Sequence, residues 1–205
     1  MSLAKTLFQP CLGVVLAGGK SSRMGRDKAS LRRKDQDMLS YSMALLKGAG
    51  SSQVIISGGE QGIDDLVANM GPLGGIQSII KQFKPRALLI LPVDLPLMTS
   101  QELAALKRIG ELSQRACYFT DNYLPLYLPV NAFVEEFFKQ PLSHSLAKLK
   151  SNNVISEQRP AHTTATKRNL TGPSVRNLLA SIPHSAIEAK NSQCLFNTNT
   201  PEQWQ

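Results

Sequence analysis

A short strand pattern that runs directly into a glycine-rich, cationic loop is the feature that most constrains this chain. Residues 14–16, Val-Val-Leu, form an apolar run with β-branched members, which is typical of a buried strand. The eleven residues from 18 to 28 then contain three glycines and four basic side chains. Glycine lets the backbone approach a ligand closely and direct its N–H groups toward it. The combination predicts a site for a polyphosphate.

Spacing excludes two common phosphate loops. A P-loop requires Gly-x-x-x-x-Gly-Lys-Ser/Thr, and its first glycine would fall at Val14, inside the predicted strand. The fingerprint Gly-x-Gly-x-x-Gly does not fit Gly18, Gly19 and Gly25. The loop is therefore of a third kind.

Strand and helix patterns alternate up to residue 110. We expect strands at 54–56 and 87–93, and the second is a continuous apolar run of the kind buried on both faces of a parallel sheet. Helical spacing follows the first loop, begins again near Gly71, and begins a third time at a capping box from Thr99 to Glu102. This alternation predicts one α/β domain with a mostly parallel central sheet and helices on both faces.

After residue 110 the regular alternation of strand and helix patterns ends. Segments 116–119 and 124–128 flank Asp121-Asn122 and predict a hairpin. We expect helices at 130–138, 146–150 and 175–179, and a last strand at 194–196. The stretch 152–172 is polar and without periodicity, which indicates a surface insertion.

A carboxylate follows the clearest strand, in Pro92-Val93-Asp94-Leu95-Pro96. Open α/β sheets bind ligands at the carboxyl ends of their strands, and Pro96 turns the chain away there. Alone, such an aspartate would more often form a turn. Because the glycine-rich loop shares the sheet, we expect Asp94 to hold Mg²⁺, which takes carboxylate and phosphate oxygens together.

Composition limits which kinds of ligand and which cellular compartment we expect for this chain. The net charge of +8 favours an anionic ligand, but only 6% of the residues are aromatic and no stacking pattern accompanies the basic ones, so we expect no nucleic acid. No apolar run approaches the roughly 20 residues that span a membrane. We see no secretory signal and no Cys-x-x-Cys among the three cysteines, so we expect a cytoplasmic protein with reduced thiols.

Residues 16–28, Leu-Ala-Gly-Gly-Lys-Ser-Ser-Arg-Met-Gly-Arg-Asp-Lys, resemble the signature loop of the MobA-like nucleotidyltransferases, the molybdenum cofactor guanylyltransferases. Four further blocks are similar to family segments and follow in the same order. They are Gly-Pro-Leu-Gly-Gly-Ile at 71–76, the Asp-x-Pro metal motif at 94–96, Leu-Pro-Leu-Tyr at 124–127 and Asn-Thr-Asn-Thr-Pro-Glu at 197–202.

The resemblance implies a Rossmann-like nucleotidyltransferase fold, with a nucleotide-binding half at 13–110 and an acceptor-binding half at 111–205. It implies transfer of GMP from GTP to the terminal phosphate of molybdopterin, with Mg²⁺ and release of pyrophosphate. Proteins that supply the cofactor or accept it are possible partners.

Our hypothesis assigns roles to individual residues. Arg23 and Lys28 would neutralise the triphosphate, and Asp94 would hold the metal. The nucleotide would be bound by Leu16, Ala17, Gly18, Gly19, Lys28, Asp64, Gly71, Pro72, Leu73, Asn197 and Asn199, with backbone N–H groups of 17–19 holding it.

Two points leave alternatives open. Gly18-Gly19, together with Gly-Pro-Leu at 71–73, resembles the GTP-using branch, whereas cytidylyl relatives more often carry Ala-Ala-Gly. The segment between Ser57 and Gly71 is shorter than the resemblance leads us to expect, although Asp64 keeps the family spacing of seven residues before Gly71. A cytidylyltransferase, a transferase for another phosphorylated metabolite and a non-catalytic nucleotide-binding partner in cofactor delivery remain alternatives.

Overall fold

A six-stranded sheet forms the centre of the computed structural model, which describes residues 11–18, 32–33, 36–59, 62–64, 70–139 and 173–197. Its strands are β1 (Leu12–Leu16), β4 (Val54–Ser57), β5 (Ala87–Pro92), β6 (Ala116–Phe119), β7 (Asn122–Pro129) and β8 (His184–Ile187). A separate two-residue pair joins β2 (Arg32–Arg33) to β3 (Gln36–Asp37). The helices are α1 (Met38–Gly48), α2 (Pro72–Phe83), α3 (Ser100–Ser113), α4 (Ala132–Lys139) and α5 (Val175–Leu179), followed by a 3₁₀ helix at Ser192–Leu195.

The strand order is β4-β1-β5-β7-β6-β8, and β7 alone runs against its neighbours β5 and β6. The mostly parallel α/β sheet predicted from the alternation is confirmed. Because the other five strands point the same way, their carboxyl ends meet the beginning of β7 at one side of the sheet. We call this side the carboxyl edge.

Helices cover both faces of the sheet, as predicted. Along β1, Val14 belongs to the core shared with α2, α4 and α5, whereas Val15 belongs to the core shared with α1 and α3. This is the period of two that a strand buried on both faces requires. In the part of the chain that the structure describes, no helix has both the length and the apolar character needed to cross a membrane.

The start of α3 differs from the predicted capping box in one respect. The Thr99 hydroxyl accepts the Glu102 N–H at 3.2 Å, as expected of an N-cap. The Glu102 carboxylate, however, is buried and its Oε1 accepts the N–H of Asn191 at 3.0 Å. It therefore holds the segment that leads into the 3₁₀ helix.

The hairpin and the helices near 130–138 and 175–179 are confirmed, but the strand predicted at 194–196 is wrong. That segment ends the 3₁₀ helix, in which Cys194 is buried while Phe196 just beyond it is half-exposed. The last strand of the described residues is β8, which sequence reasoning missed because a strand that pairs there with β6 alone, at the edge of the sheet, needs no continuous apolar run. The helix expected at 146–150 and the insertion at 152–172 lie outside the described residues.

Candidate active site

Three strands end side by side at the carboxyl edge. Leu16 at the end of β1 is in register with Ser57 of β4 on one side and with Pro92 of β5 on the other. The N–H of Val93 donates to the Leu16 carbonyl at 3.3 Å, so the pairing continues one residue beyond β5. The first residues of the glycine-rich segment and Asp94 are thus brought to neighbouring positions. Gly19, Arg23, Lys28 and Asn199, which carry much of the predicted site, lie outside the described residues.

The backbone of Ala17 and Gly18 is engaged with β4. Both N–H groups donate to the Ser57 carbonyl, at 2.9 and 3.1 Å. Both N–H groups are thus engaged by the Ser57 carbonyl in this structure, and their binding to the nucleotide stays a prediction. What the two residues supply is the position from which the cationic loop departs.

Gly58 is a site residue that sequence reasoning read only as the end of a strand. Its φ of +73° lies in the left-handed region, and a Cβ there would fall 2.6 Å from the Gly18 Cα. Both conditions favour glycine. The signal in the sequence was the Gly58-Gly59 pair directly after a strand.

The short segment after β4 folds back on that strand. Gly58 N–H donates to the Ile63 carbonyl and Ile63 N–H donates to the Ile56 carbonyl, each at 2.9 Å. Asp64 follows immediately and is exposed. Because Ile63 is also bridged to Ser57, Asp64 lies beside the end of β4 at the carboxyl edge.

The beginning of α2 lies at the same edge, since this helix connects β4 to β5 and runs opposite to them. Gly71 is its N-cap with φ +58°, Pro72 occupies the first turn, and both are exposed. Leu73 and Leu16, also predicted to bind nucleotide, have their side chains buried in the core. These two residues could therefore contact a nucleotide only through their main-chain atoms.

Asp94 is half-buried, with Oδ1 shielded from solvent, between the buried residues Val93 and Leu95. Among the described residues no three His, Cys, Asp or Glu side chains are grouped to hold a metal by themselves. One carboxylate completed by phosphate oxygens is nevertheless the donor set that Mg²⁺ commonly uses. The residues present therefore fit a hard divalent cation that arrives with a phosphorylated ligand.

Beyond β5 the carboxyl edge opens into a cleft of about 670 Å³, which we call the edge cleft. It lies between the turn after Asp94, the tip of the β6–β7 hairpin and the chain from β8 to the 3₁₀ helix. Its lining includes Leu97, Thr120, Asp121, Asn122, Glu188 and Phe196. Asn197, predicted to bind nucleotide, directly follows Phe196 and is exposed. Apart from a turn at Asp121-Asn122, no sequence pattern indicated this cleft.

The three cysteines are buried and free, as expected of core thiols. Burial raises the pKa of Cys11 to about 12 and that of Cys194 to about 11. It also raises the pKa of Cys117. Thiols of this kind are poor nucleophiles at neutral pH.

The sheet order and the loops at its carboxyl edge define an α/β protein whose candidate site lies where the parallel strands end. Residues 13–161 match the family model described as the MobA-like NTP transferase domain. The chain therefore belongs to the family of MobA-like nucleotidyltransferases.

One relative is similar over nearly its whole length, and two solved structures share the fold. The chain is 34% identical over 203 residues to the molybdenum cofactor guanylyltransferase of Xanthomonas euvesicatoria pv. vesicatoria (strain 85-10), covering 97% of this chain and 95% of that protein. It is similar in fold to the molybdopterin-guanine dinucleotide biosynthesis protein A of Archaeoglobus fulgidus, with a TM-score of 0.61, 17% identity and 94% of each chain covered. The 2-C-methyl-D-erythritol 4-phosphate cytidylyltransferase of Thermus thermophilus is similar with a TM-score of 0.57, 13% identity and 95% of each chain covered.

Proposed function

We propose that this protein transfers GMP from GTP to the terminal phosphate of molybdopterin, releasing pyrophosphate, with Mg²⁺ as the metal. The observation that carries the proposal is the hydrogen bond from Val93 to Leu16, which places Asp94 beside the start of the cationic loop. A carboxylate and a polyphosphate loop at neighbouring strand ends suit a metal-assisted reaction at a nucleoside triphosphate.

The reaction is an in-line displacement, by analogy with phosphoryl transfer. A terminal phosphate oxygen of the acceptor attacks the α-phosphorus of GTP. The bond from that phosphorus to the bridging oxygen breaks, and the electron pair leaves with pyrophosphate. A phosphate monoester is already anionic near neutral pH, so the reaction requires no general base.

The work of the protein is then positioning and charge neutralisation. In this proposal Asp94 holds the metal, which when bound neutralises the phosphates. Arg23 and Lys28 oppose the charge that develops toward pyrophosphate. Gly19 would allow a close approach to the nucleotide, and Gly58 packs against Gly18 just before it.

The choice of guanine rests on the relatives and not on the fold. Proteins of this fold include a cytidylyltransferase, so the sheet alone selects no base. The guanylyltransferase relative covers nearly the whole of this chain, which favours GTP over CTP. Asp64 and Gly71, beside β4, are the residues that we propose for recognising the base.

Calorimetric titration with GTP, CTP and ATP, each with Mg²⁺, tests the donor assignment. We expect GTP to bind tightest and its affinity to fall in Asp94→Asn and in Lys28→Ala. The exposed Glu135, changed to glutamine, is the control for loss of one carboxylate. Equal affinity for the three nucleotides would contradict the guanine assignment.

Exchange of labelled pyrophosphate into GTP, in the presence of molybdopterin, separates an enzyme from a binding protein. Exchange that is lost in Asp94→Asn supports the proposal. Tight GTP binding without any exchange would instead favour the non-catalytic partner in cofactor delivery.

A further inference from the structure

The edge cleft has the opposite electrostatic character to the chain as a whole. The chain carries a net charge of +8, yet the cleft lining contains the carboxylates of Asp121 and Glu188 and, among the residues that the structure describes, no lysine or arginine. Like charges that share a site repel each other, so a phosphate group would be disfavoured here. The cleft suits the part of a ligand that donates hydrogen bonds.

Large apolar side chains line the same cleft. Leu97 is 46% exposed and Phe196 is 50% exposed, although both are residues that a folded chain usually buries. Aromatic and aliphatic walls with a few polar groups, around a volume of several hundred Å³, are typical of small-molecule sites. A flat ring could pack against these two side chains.

The polar groups of the cleft are held in place by one another. Thr120 Oγ1 donates to Glu188 Oε1 at 2.7 Å, and Asn122 Nδ2 donates to the Thr120 carbonyl at 3.2 Å. The Thr120 N–H also donates to the Ile187 carbonyl at 3.0 Å. The hairpin tip and the end of β8 are thereby joined, and the Glu188 carboxylate has a fixed position at the cleft.

The chain from β8 to the 3₁₀ helix forms the side of the cleft that carries Phe196, and we call it the wall. It is anchored at two points. Cys194, two residues earlier, is fully buried in the core. The buried carboxylate of Glu102 accepts the Asn191 N–H just before the 3₁₀ helix. These contacts make the wall part of the packed domain.

The cleft is close to Asp94. Leu97 follows Asp94 by three residues, and consecutive Cα atoms are about 3.8 Å apart, so the two Cα atoms are separated by at most about 11 Å. A ligand with a phosphate at the metal could therefore extend into the cleft.

We propose that the edge cleft binds the ring of the acceptor, a fused heterocycle with a flat 2-amino-4-oxopyrimidine edge. This inference rests on the proposed function and names the place of its acceptor. Glu188 accepts hydrogen bonds from the ring N–H and the exocyclic amine, while Phe196 and Leu97 pack against the ring face. Guanine presents the same edge, but the residues proposed for the donor base lie on the β4 side of β1, away from this cleft.

Titration of the full chain with 6-hydroxymethylpterin, followed by pterin fluorescence, tests the assignment. We expect saturable binding that weakens about tenfold or more in Glu188→Gln, because a hydrogen bond to a charged acceptor is lost. Phe196→Ala should weaken binding similarly. Glu136→Gln, at an exposed glutamate on α4, should leave it unchanged. Glu188 and Phe196 are both exposed, so the folded state should survive, which thermal unfolding checks.

The pterin ring and the guanine base present the same hydrogen-bonding edge. Titration with GTP and Mg²⁺ shows which of the two the cleft binds. Unchanged GTP affinity in Glu188→Gln and Phe196→Ala supports a pterin site, whereas an equal loss of GTP affinity would overturn it in favour of the guanine base. No saturable pterin binding by the unmodified protein, or identical pterin affinity in both variants, would also overturn it.

The failure of this inference is distinguishable from failure of the proposed function. If the unmodified chain forms the dinucleotide product and both variants keep the same KM for molybdopterin, only the cleft assignment fails. If pterin binding depends on Glu188 and Phe196 but no GMP is transferred, the proposed reaction fails and the binding site stands.

Discussion

Gly58 and Gly18 lie back to back at the carboxyl edge, so close that a Cβ on Gly58 would fall 2.6 Å from the Gly18 Cα. The contact fixes where the cationic loop leaves β1. It joins the end of β4 to the first residues of that loop through backbone atoms alone.

Gly58→Ala should destabilise the fold by about 1–3 kcal/mol, from left-handed strain and the forced displacement of Gly18. Urea unfolding measures the change in free energy. Gly59→Ala is the matched control, since Gly59 has φ +75° but its nearest neighbour, the Ala17 Cβ, would be 3.6 Å away. If the two variants unfolded alike, the close approach to Gly18 would be without consequence.

The buried Glu102 offers a second test, because its carboxylate accepts the Asn191 N–H. Glu102→Leu should cost about 1–3 kcal/mol, because the Asn191 N–H loses its acceptor. Glu102→Gln keeps an oxygen at that position and should cost much less. Chemical denaturation measures the free energy of unfolding of both variants. Equal losses of stability would show that the hydrogen-bond acceptor does not stabilise the fold.

Asp37 should make stability depend on pH. Its carboxylate accepts the Ser40 N–H at 2.7 Å, and this bond lowers the pKa of Asp37 below its usual range. The stabilisation is therefore fully present above the ordinary aspartate pKa of about 3.9 and is lost as pH falls through the lower, folded-state value. Asp37→Ala should cost about 1 kcal/mol at pH 7 and less at pH 3. A cost that is the same at both pH values would argue against an ionised cap.

The thiols should react only slowly with a disulfide reagent in the folded protein. Cys11, Cys117 and Cys194 are buried, and burial raises their pKa values, so little thiolate is present at pH 8. Unfolding in guanidinium chloride should release all three thiols of the chain at once. Rapid reaction of one thiol in the folded state would place it at an accessible site.

Sequence patterns predicted the architecture well, since strand and helix periodicities are local properties. The continuous run at 87–93, for example, contains β5 (Ala87–Pro92), which lies between β1 and β7. The Asp-x-Pro motif also led to a carboxylate at the correct edge. What remained hidden depends on contacts between distant residues. Glu102 looked like half of a capping box, but its partner Asn191 lies 89 residues away.

The edge cleft was hidden for the same reason. Leu97, the hairpin tip and Phe196 are far apart in the chain and meet only because β6 pairs with both β7 and β8. A half-polar edge strand such as β8 has too weak a pattern to predict. If β8 is not predicted, the position of the segment after it, which carries Phe196, cannot be inferred.

Pyrophosphate release from GTP and molybdopterin, at saturating Mg²⁺, tests the central claim most directly when the unmodified chain is compared with Asp94→Asn. We expect turnover that requires both substrates and falls by about 100-fold or more in the variant, because the charge on the phosphates is no longer opposed by a held metal. Glu135→Gln should retain the full rate. Undiminished turnover in Asp94→Asn would contradict the account.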